Sequence, residues 1–389
     1  MVEVPASRLG RFKEAVYQNE RVLAFVPPPL PPEPPADLGP LLGKLSAADR
    51  ALGRLDGITI LIPDEPLFLY MYVRKEAVLS SQIEGTQSTI SDLLRFEAQA
   101  VAGEPIDDIR EISNYVDAVM FGLDRLNTLP ISLRMIRELH ARLLQGGRGE
   151  SKNPGEFRRS QNWIGGTRPG NAVYVPPPVD ELMPCLDAFE KFIHRPTPEL
   201  PPLIKAGLLH VQFESIHPFL DGNGRVGRLL ITLFLCAERV LRQPLLYLSL
   251  YLKQHRTEYY GLLQEVRERG NWEAWLEFFL DGVAQTADQA FDTATRIVDL
   301  FQTDRARIAA AGERAGSVLR LHELMQKSPF LTAAKARVQT GLTTPTINAA
   351  FAELQKLGIV AEVTGRKRDR VYCYRSYVDL LNDGTGTDQ

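Results

Sequence analysis

The stretch HPFLDGNGRVGR, His217 to Arg228, decides how this chain is read. It sets one imidazole, one carboxylate, a Gly222-Asn223-Gly224 turn and two guanidiniums, Arg225 and Arg228, directly before an apolar helical run from Leu229 to Cys236. A helix start leaves backbone N–H groups unpaired and carries partial positive charge, and flanking glycines let a phosphate oxygen approach those amides. Two arginines add forked, charge-assisted donors suited to a polyphosphate. Asp221 has the chemistry to hold Mg2+ against phosphate oxygens, because that cation takes one or two carboxylates and completes its shell with substrate oxygens and water. His217 is the one group here that accepts a proton near neutral pH without a large pKa shift. The stretch therefore reads as a phosphate site with a base beside it.

Read singly, each residue also has a plain structural role: a satisfied histidine, a helix-capping turn, two solvated arginines. Their joint occurrence resembles the signature of the Fic family, His-x-Phe-x-Asp/Glu-Gly-Asn-Gly-Arg-x-x-Arg. His217, Phe219, Asp221, Gly222, Asn223, Gly224, Arg225 and Arg228 match every specified position. The resemblance implies transfer of AMP from ATP to a Tyr, Thr or Ser hydroxyl of a target protein or of the chain itself. His217 is then the base and Asp221 the Mg2+ ligand. Gly222, Asn223, Gly224, Arg225 and Arg228 bind nucleotide, with Arg228 on the γ-phosphate. Removal of AMP, or transfer of another nucleotide or phosphate group, would use the same residues.

Upstream, Ser80-Ser81-Gln82-Ile83-Glu84-Gly85 is similar to the inhibitory motif of that family, Ser/Thr-x-x-x-Glu-Gly/Asn. By itself it reads equally as a helix ending at Gly85 with a solvated Glu84. Beside the signature, Ser80 and Glu84 become the expected brake, because a carboxylate paired with Arg228 would occupy the guanidinium meant for the γ-phosphate. The motif precedes the signature, as in the class whose inhibitory helix is N-terminal in the same polypeptide.

The rest of the chain frames this core. With 389 residues, 44% hydrophobic and 24% charged, it can bury two or three domain cores. A net charge of -3 argues against a chain that coats nucleic acid throughout. Residues 1–20 lack the continuous apolar stretch of a signal peptide, and no run reaches the length of a membrane span. Cys185, Cys236 and Cys373 lie far apart without metal-ligand spacing, so a reducing cytoplasm, where ATP is found, is expected.

Seven prolines between Pro27 and Pro35 make residues 1–40 an extended arm over the body. From Leu38 the pattern turns helical, with Leu67, Leu69, Tyr70, Val73, Ala77 and Ile83 on one face. Two helices are expected over 106–148, with His140 as a core or interface histidine. Asn162–Gly165 and Ala172–Val175 flank an RPGN turn and read as a hairpin. In the family this hairpin is a flap that pairs with an extended target segment, here through Ala172, Val173 and Tyr174. Tyr260 resembles a nucleotide-pocket position and faces either adenine or the core. Trp272, Trp275, Phe278 and Phe279 have core spacing.

A polar connector helix is expected over Ala284–Ala311. Beyond it, a helix over SVLRLHELMQKSP, a short second one, a third beginning at Thr344 and Pro345, and a two-stranded wing tipped by Arg366, Lys367, Arg368 and Arg370 resemble a winged helix-turn-helix. Such a domain contacts DNA through phosphates first, which leaves a transcriptional regulator as a reading from another class; with Asn348, Gln355 and Lys356 the few obvious donors on the third helix, protein docking or dimerisation is an equal reading. The expected architecture is mainly α, a Fic core with a hairpin flap. Its divisions are an N-terminal inhibitory region (1–105), the catalytic core (106–283), the connector (284–311) and the C-terminal domain (312–389). The family resemblance also suggests a homodimer.

Overall fold

In the computed structural model the signature is the turn between two buried helices, α7 (Pro202–Ile216) and α8 (Asn223–Ala237). The structure describes residues 8–17, 19–58, 65–97, 106–147, 149–197, 199–310, 315–366 and 368–384. The side chains of Leu67, Leu69 and Tyr70, and the whole of Lys367, fall outside that description. Apolar residues on every side of α7 leave it no solvent face, and every residue from Leu203 to Ile216 is buried. Pro202 starts the helix with φ already set and no N–H to waste.

Around this pair the described residues form a mainly helical body. α1 (Leu42–Ile58), α2 (Glu65–Ile83) and α3 (Ile90–Glu97) lead to α4 (Ile106–Arg125) and α5 (Leu133–Leu143), the two helices expected over 106–148. α6 (Val179–His194) precedes α7, while α9 (Ser249–Gln254) and α10 (Arg256–Arg269) follow α8. α11 (Trp272–Ala309) then runs for 38 residues, roughly 57 Å at the helical rise. It passes through the expected division between core and connector without a break. The reason is local: no proline interrupts it, and Trp272, Trp275, Phe279, Val283, Ala287, Ala290, Ala294 and Ile297 keep one buried stripe in phase. It touches α7 closely where Trp275 Nε1 donates to Gly207 O at 2.8 Å.

The proline arm lies over the body as expected, with Gln212 Nε2 donating to Pro28 O at 2.8 Å and Leu30 buried. A hairpin precedes it: β1 (Arg11–Tyr17) pairs antiparallel with β2 (Glu20–Val26), Arg11 opposite Val26. Along β2 buried Val22 and Ala24 alternate with exposed Leu23, and Asn19 in the turn takes the left-handed region at φ 63.

The C-terminal part contains α12 (Ala315–Lys327), β3 (Phe330–Thr332), α13 (Ala333–Thr340), α14 (Thr344–Lys356), β4 (Ala361–Glu362), β5 (Val371–Cys373) and α15 (Arg375–Asn382). The two expected strands gain a third, giving the antiparallel order β3-β5-β4. Thr332 ends β3 and caps α13 by accepting from Lys335 N. Among the described residues no helix is long and apolar enough to cross a membrane.

Candidate active site

α7 ends on His217, which adopts φ 48, ψ 61 and donates its amide to Phe213 O at 2.9 Å. A non-glycine residue held there is strained and needs surrounding contacts to persist. They are present. Arg158 Nε donates to His217 O at 3.1 Å and Asn162 Nδ2 to Phe219 O at 2.9 Å. The Asn223 side chain accepts from Phe219 N at 2.8 Å and donates to Phe219 O at 2.9 Å. Asn223 thus spends its amide on the turn rather than facing the site. Asn223→Ala removes both bonds and strands the buried Phe219 amide, while the Phe219 carbonyl keeps Asn162, so a loss of about 1–3 kcal/mol in stability is expected, measured by urea denaturation.

His140, read from sequence as a core histidine, holds the turn from behind. It stacks on Phe219 with ring centroids 3.7 Å apart. Nδ1 accepts from Gly155 N at 2.8 Å, so Nε2 carries the proton and donates to Asp221 O at 3.0 Å. Burial pushes its pKa down to about 4, which keeps the ring neutral.

Gly222, at φ 76, caps α8, and Asp221 Oδ1 accepts its amide at 2.6 Å. The first amides of α8 have no acceptor one turn back. Above them sits Glu84. Glu84 Oε1 accepts from Arg228 Nη2 at 2.6 Å, and Ser80 takes two further donors, Nε to Oγ at 2.9 Å and Nη2 to the carbonyl at 3.0 Å. A Cβ on Gly224 would collide with the Glu84 carboxylate. Burial pushes the Glu84 pKa up, but the charge and hydrogen bond of Arg228 outweigh it and hold the carboxyl below its usual range. The two sequence motifs, 144 residues apart, meet in one ion pair.

Arg225 points elsewhere. It is buried, 2.6 Å from Glu111 of α4 and 3.6 Å from Asp221. Glu111 was missed because a lone carboxylate on a long amphipathic helix looks solvated. His217 is largely buried, and burial together with Arg267 and Arg158 pushes its pKa down to about 3, so the imidazole rests without a proton on both nitrogens. Glu214, one turn earlier, lies buried against Gly227 of α8. Burial raises its pKa to about 7, with Arg228 opposing and Glu84 reinforcing the shift. The folded chain keeps this proton up to about pH 7, whereas the unfolded carboxyl loses it near 4.5, so stability falls as pH rises through that window. Glu214→Gln is therefore expected to stabilise the protein by about 2–3 kcal/mol at pH 8 and far less at pH 5, in urea melts at the two pH values.

Tyr260 is 43% exposed beside Arg256, while its neighbour Tyr259 is buried with its hydroxyl 2.8 Å from His210 Nε2. Of the two readings of Tyr260, core packing belongs to Tyr259 instead. The hairpin is present as an antiparallel bridge between Ile164 and Tyr174, its turn a 3-10 segment, Pro169–Asn171. Val173 is 69% exposed, but Tyr174 is anchored inward by its hydroxyl bond to Ser215 O at 2.6 Å and by Arg267 over its ring. The N-terminal hairpin continues this flap: Phe25 N donates to Val175 O at 2.9 Å, and Glu20 bonds Arg168 and the Gly170 amide. No group of three or more His, Cys, Asp or Glu among the described residues could hold a metal alone. Asp221 is a single, partly exposed carboxylate, which fits a cation that arrives with phosphate oxygens.

Comparison with known proteins agrees with this geometry. Residues 42–124 match the Fic/DOC family N-terminal model and residues 130–235 the Fic/DOC family model. A protein adenylyltransferase Fic of Drosophila persimilis is 30% identical over 264 residues, covering 66% of this chain and 46% of its own. That of Drosophila grimshawi is 32% identical over 230 residues, 57% of this chain and 44% of its own. The chain thus spans less than half the length of these relatives. Among solved structures, a Fic family protein from Desulfovibrio desulfuricans superposes with a TM-score of 0.57 at 18% identity, covering 88% of this chain and 97% of its own. A Fic domain containing signaling protein from Bacteroides thetaiotaomicron gives 0.50 at 18% identity, covering 64% and 95%. With both regions matched, the same mainly helical fold, and the signature complete from His217 to Arg228, the chain is a member of the Fic family.

Proposed function

We propose that this chain is an autoinhibited protein adenylyltransferase that transfers AMP from ATP to a side-chain hydroxyl of a target protein or of itself. The observation that carries the reading is the Glu84–Arg228 ion pair lying over the free amides of α8. When Glu84 withdraws, Arg228 takes the γ-phosphate, and the amides at Asn223 and Gly224 receive phosphate oxygens, while Gly222, its amide held by Asp221, shapes the turn. The attacking hydroxyl oxygen forms the new bond to the α-phosphorus in line with the leaving pyrophosphate, whose bridging P–O bond breaks. His217 takes the hydroxyl proton; the polyphosphate's negative charge raises its pKa from the resting value of about 3. Asp221 would hold Mg2+, which when bound neutralises charge on the phosphates. Arg225, tied to Glu111, orients Asp221 from behind. Tyr260 borders the nucleotide site, and Val173 offers the flap edge to the target backbone.

As a functional division we keep an inhibitory region (1–105), a core (106–283), a connector (284–311) that continues the core's own helix α11, and a C-terminal domain (312–389). Exposed Arg366, Arg368 and Arg370 support DNA contact by that last part. Salt-sensitive retention of the full chain on duplex DNA tests it.

Intact-mass spectrometry of the wild type and of Glu84→Gly, each incubated with ATP and Mg2+, tests the main reading. Covalent AMP is the expected product. A UMP adduct obtained only with UTP, or loss of AMP from a modified lysate, would instead assign another nucleotide or the reverse reaction.

A further inference from the structure

α15 follows directly on β5 and turns Tyr377, Val378 and Leu381 inward, where Tyr377 packs edge-on against Phe301 of α11 at 4.9 Å. Its end reaches the helices that carry the brake. Asn382 Nδ2 donates to Ser91 Oγ at 2.6 Å, in the first turn of α3. The backbone at Gly384 is so close to α9 that a Cβ there would stand 2.9 Å from Leu250. Asp383 stands 3.8 Å from Arg296 of α11, and its charge also favours the ammonium form of Lys75 of α2, which lies buried over the Tyr247 ring at 4.5 Å. A second contact from the same domain puts the Phe330 ring of β3 against Arg95 of α3.

α3 is in turn fastened to α2 by a two-pronged ion pair, Arg74 Nε and Nη2 on the Glu97 carboxylate at 2.7–3.1 Å. Between the two helices lies only the turn that presents Glu84. Gln82 Nε2 closes that turn on Ser88 O at 3.0 Å, and Thr89 opens α3 by donating to Asp92 at 2.7 Å. A continuous set of contacts therefore runs from α15 through α3 and the turn to Arg228.

We propose that the C-terminal domain braces the brake: α15 holds α3 and α2 in the position that keeps Glu84 on Arg228, and displacing α15 opens the nucleotide site. The inference rests on the reading of Glu84 as the inhibitory residue. Two states define it, Glu84 seated or withdrawn, and the α15 contacts bias the equilibrium between them. A ligand of the C-terminal domain that shifts α15 is then an activator of the distant site, and by reciprocity ATP weakens the hold of α15.

The test uses the full chain with Asn382→Ala and Leu381→Asp, each alone and combined with Glu84→Gly. Two signals are read: AMP incorporation, and amide hydrogen exchange across residues 76–90. Asn382→Ala, which removes the hydrogen bond to Ser91 with a small change of side chain, is expected to raise incorporation about fivefold. Leu381→Asp is expected to raise it about tenfold or more, and both variants to speed exchange in the 76–90 segment. Neither adds to incorporation once Glu84 is glycine. Unchanged exchange in both variants, unchanged incorporation while Glu84→Gly is active, or a rise that multiplies the effect of Glu84→Gly would each overturn the brace. If Glu84→Gly itself incorporates nothing, the proposed activity fails and exchange alone decides: faster exchange supports the brace and unchanged exchange overturns it.

Discussion

Glu84→Gly is expected to raise AMP transfer on the order of ten- to a hundredfold over the wild type, read as covalent AMP by intact mass with ATP and Mg2+ present. The charge-assisted bond from Arg228 to Glu84 is 2.6 Å long, and such a bond is worth roughly 1.5–3 kcal/mol. ATP must displace that carboxylate before Arg228 can hold a phosphate, so the bond's net free energy appears directly as the fraction of molecules open to nucleotide. Removing the side chain also clears the space over Gly224 that the carboxylate fills. Ser80 keeps two bonds to Arg228, so the guanidinium stays aimed at the site. A rate equal to wild type would show that the pair does not control access.

In the Glu84→Gly background, His217→Ala is expected to lower transfer by about a hundred- to ten-thousandfold, with ATP binding largely retained. The imidazole rests neutral at neutral pH, and its buried Nδ1 has no hydrogen-bond partner within the chain. The proposed phosphate ligands are the α8 amides and Arg228, so the loss should fall on turnover rather than on affinity. His217 sits at φ 48, where alanine costs about 1–2 kcal/mol of backbone strain, too little to unfold the chain. A thermal melt alongside the rate assay separates the two effects. Full transfer in the double variant would remove His217 as the base.

How much of this was legible beforehand depends on how local the information is. The helix start, its glycines and the base are adjacent in sequence, and a turn before an apolar helix has few ways to fold. The helical pairs at 106–148 and around the signature followed from periodicity alone. The hairpin β1–β2 did not, because the neighbouring prolines drew attention to extended structure without pairing, and seven-residue strands with exposed Phe12, Val16 and Leu23 give a weak alternation. The length of α11 was obscured by Gly282, which sits there because Tyr251 packs against its Cα, not because the helix ends. α15 was missed altogether: eight residues with three apolar positions carry too little pattern to stand apart from a loop.

The sequence by itself determined which groups share the turn, since an imidazole, a carboxylate and two guanidiniums at a helix start are placed there by nearly consecutive residues. It also named Glu84 and Arg228. Only the tertiary structure decided that the two form one buried pair, that Arg225 answers to Glu111, that Asn223 and His140 shape the turn, and that the C-terminal helix leans on the helices flanking Glu84. The physical reason is the same in each case. Periodicity and capping act over a turn or two of helix, whereas a partner for a buried charge is chosen by which elements happen to pack together.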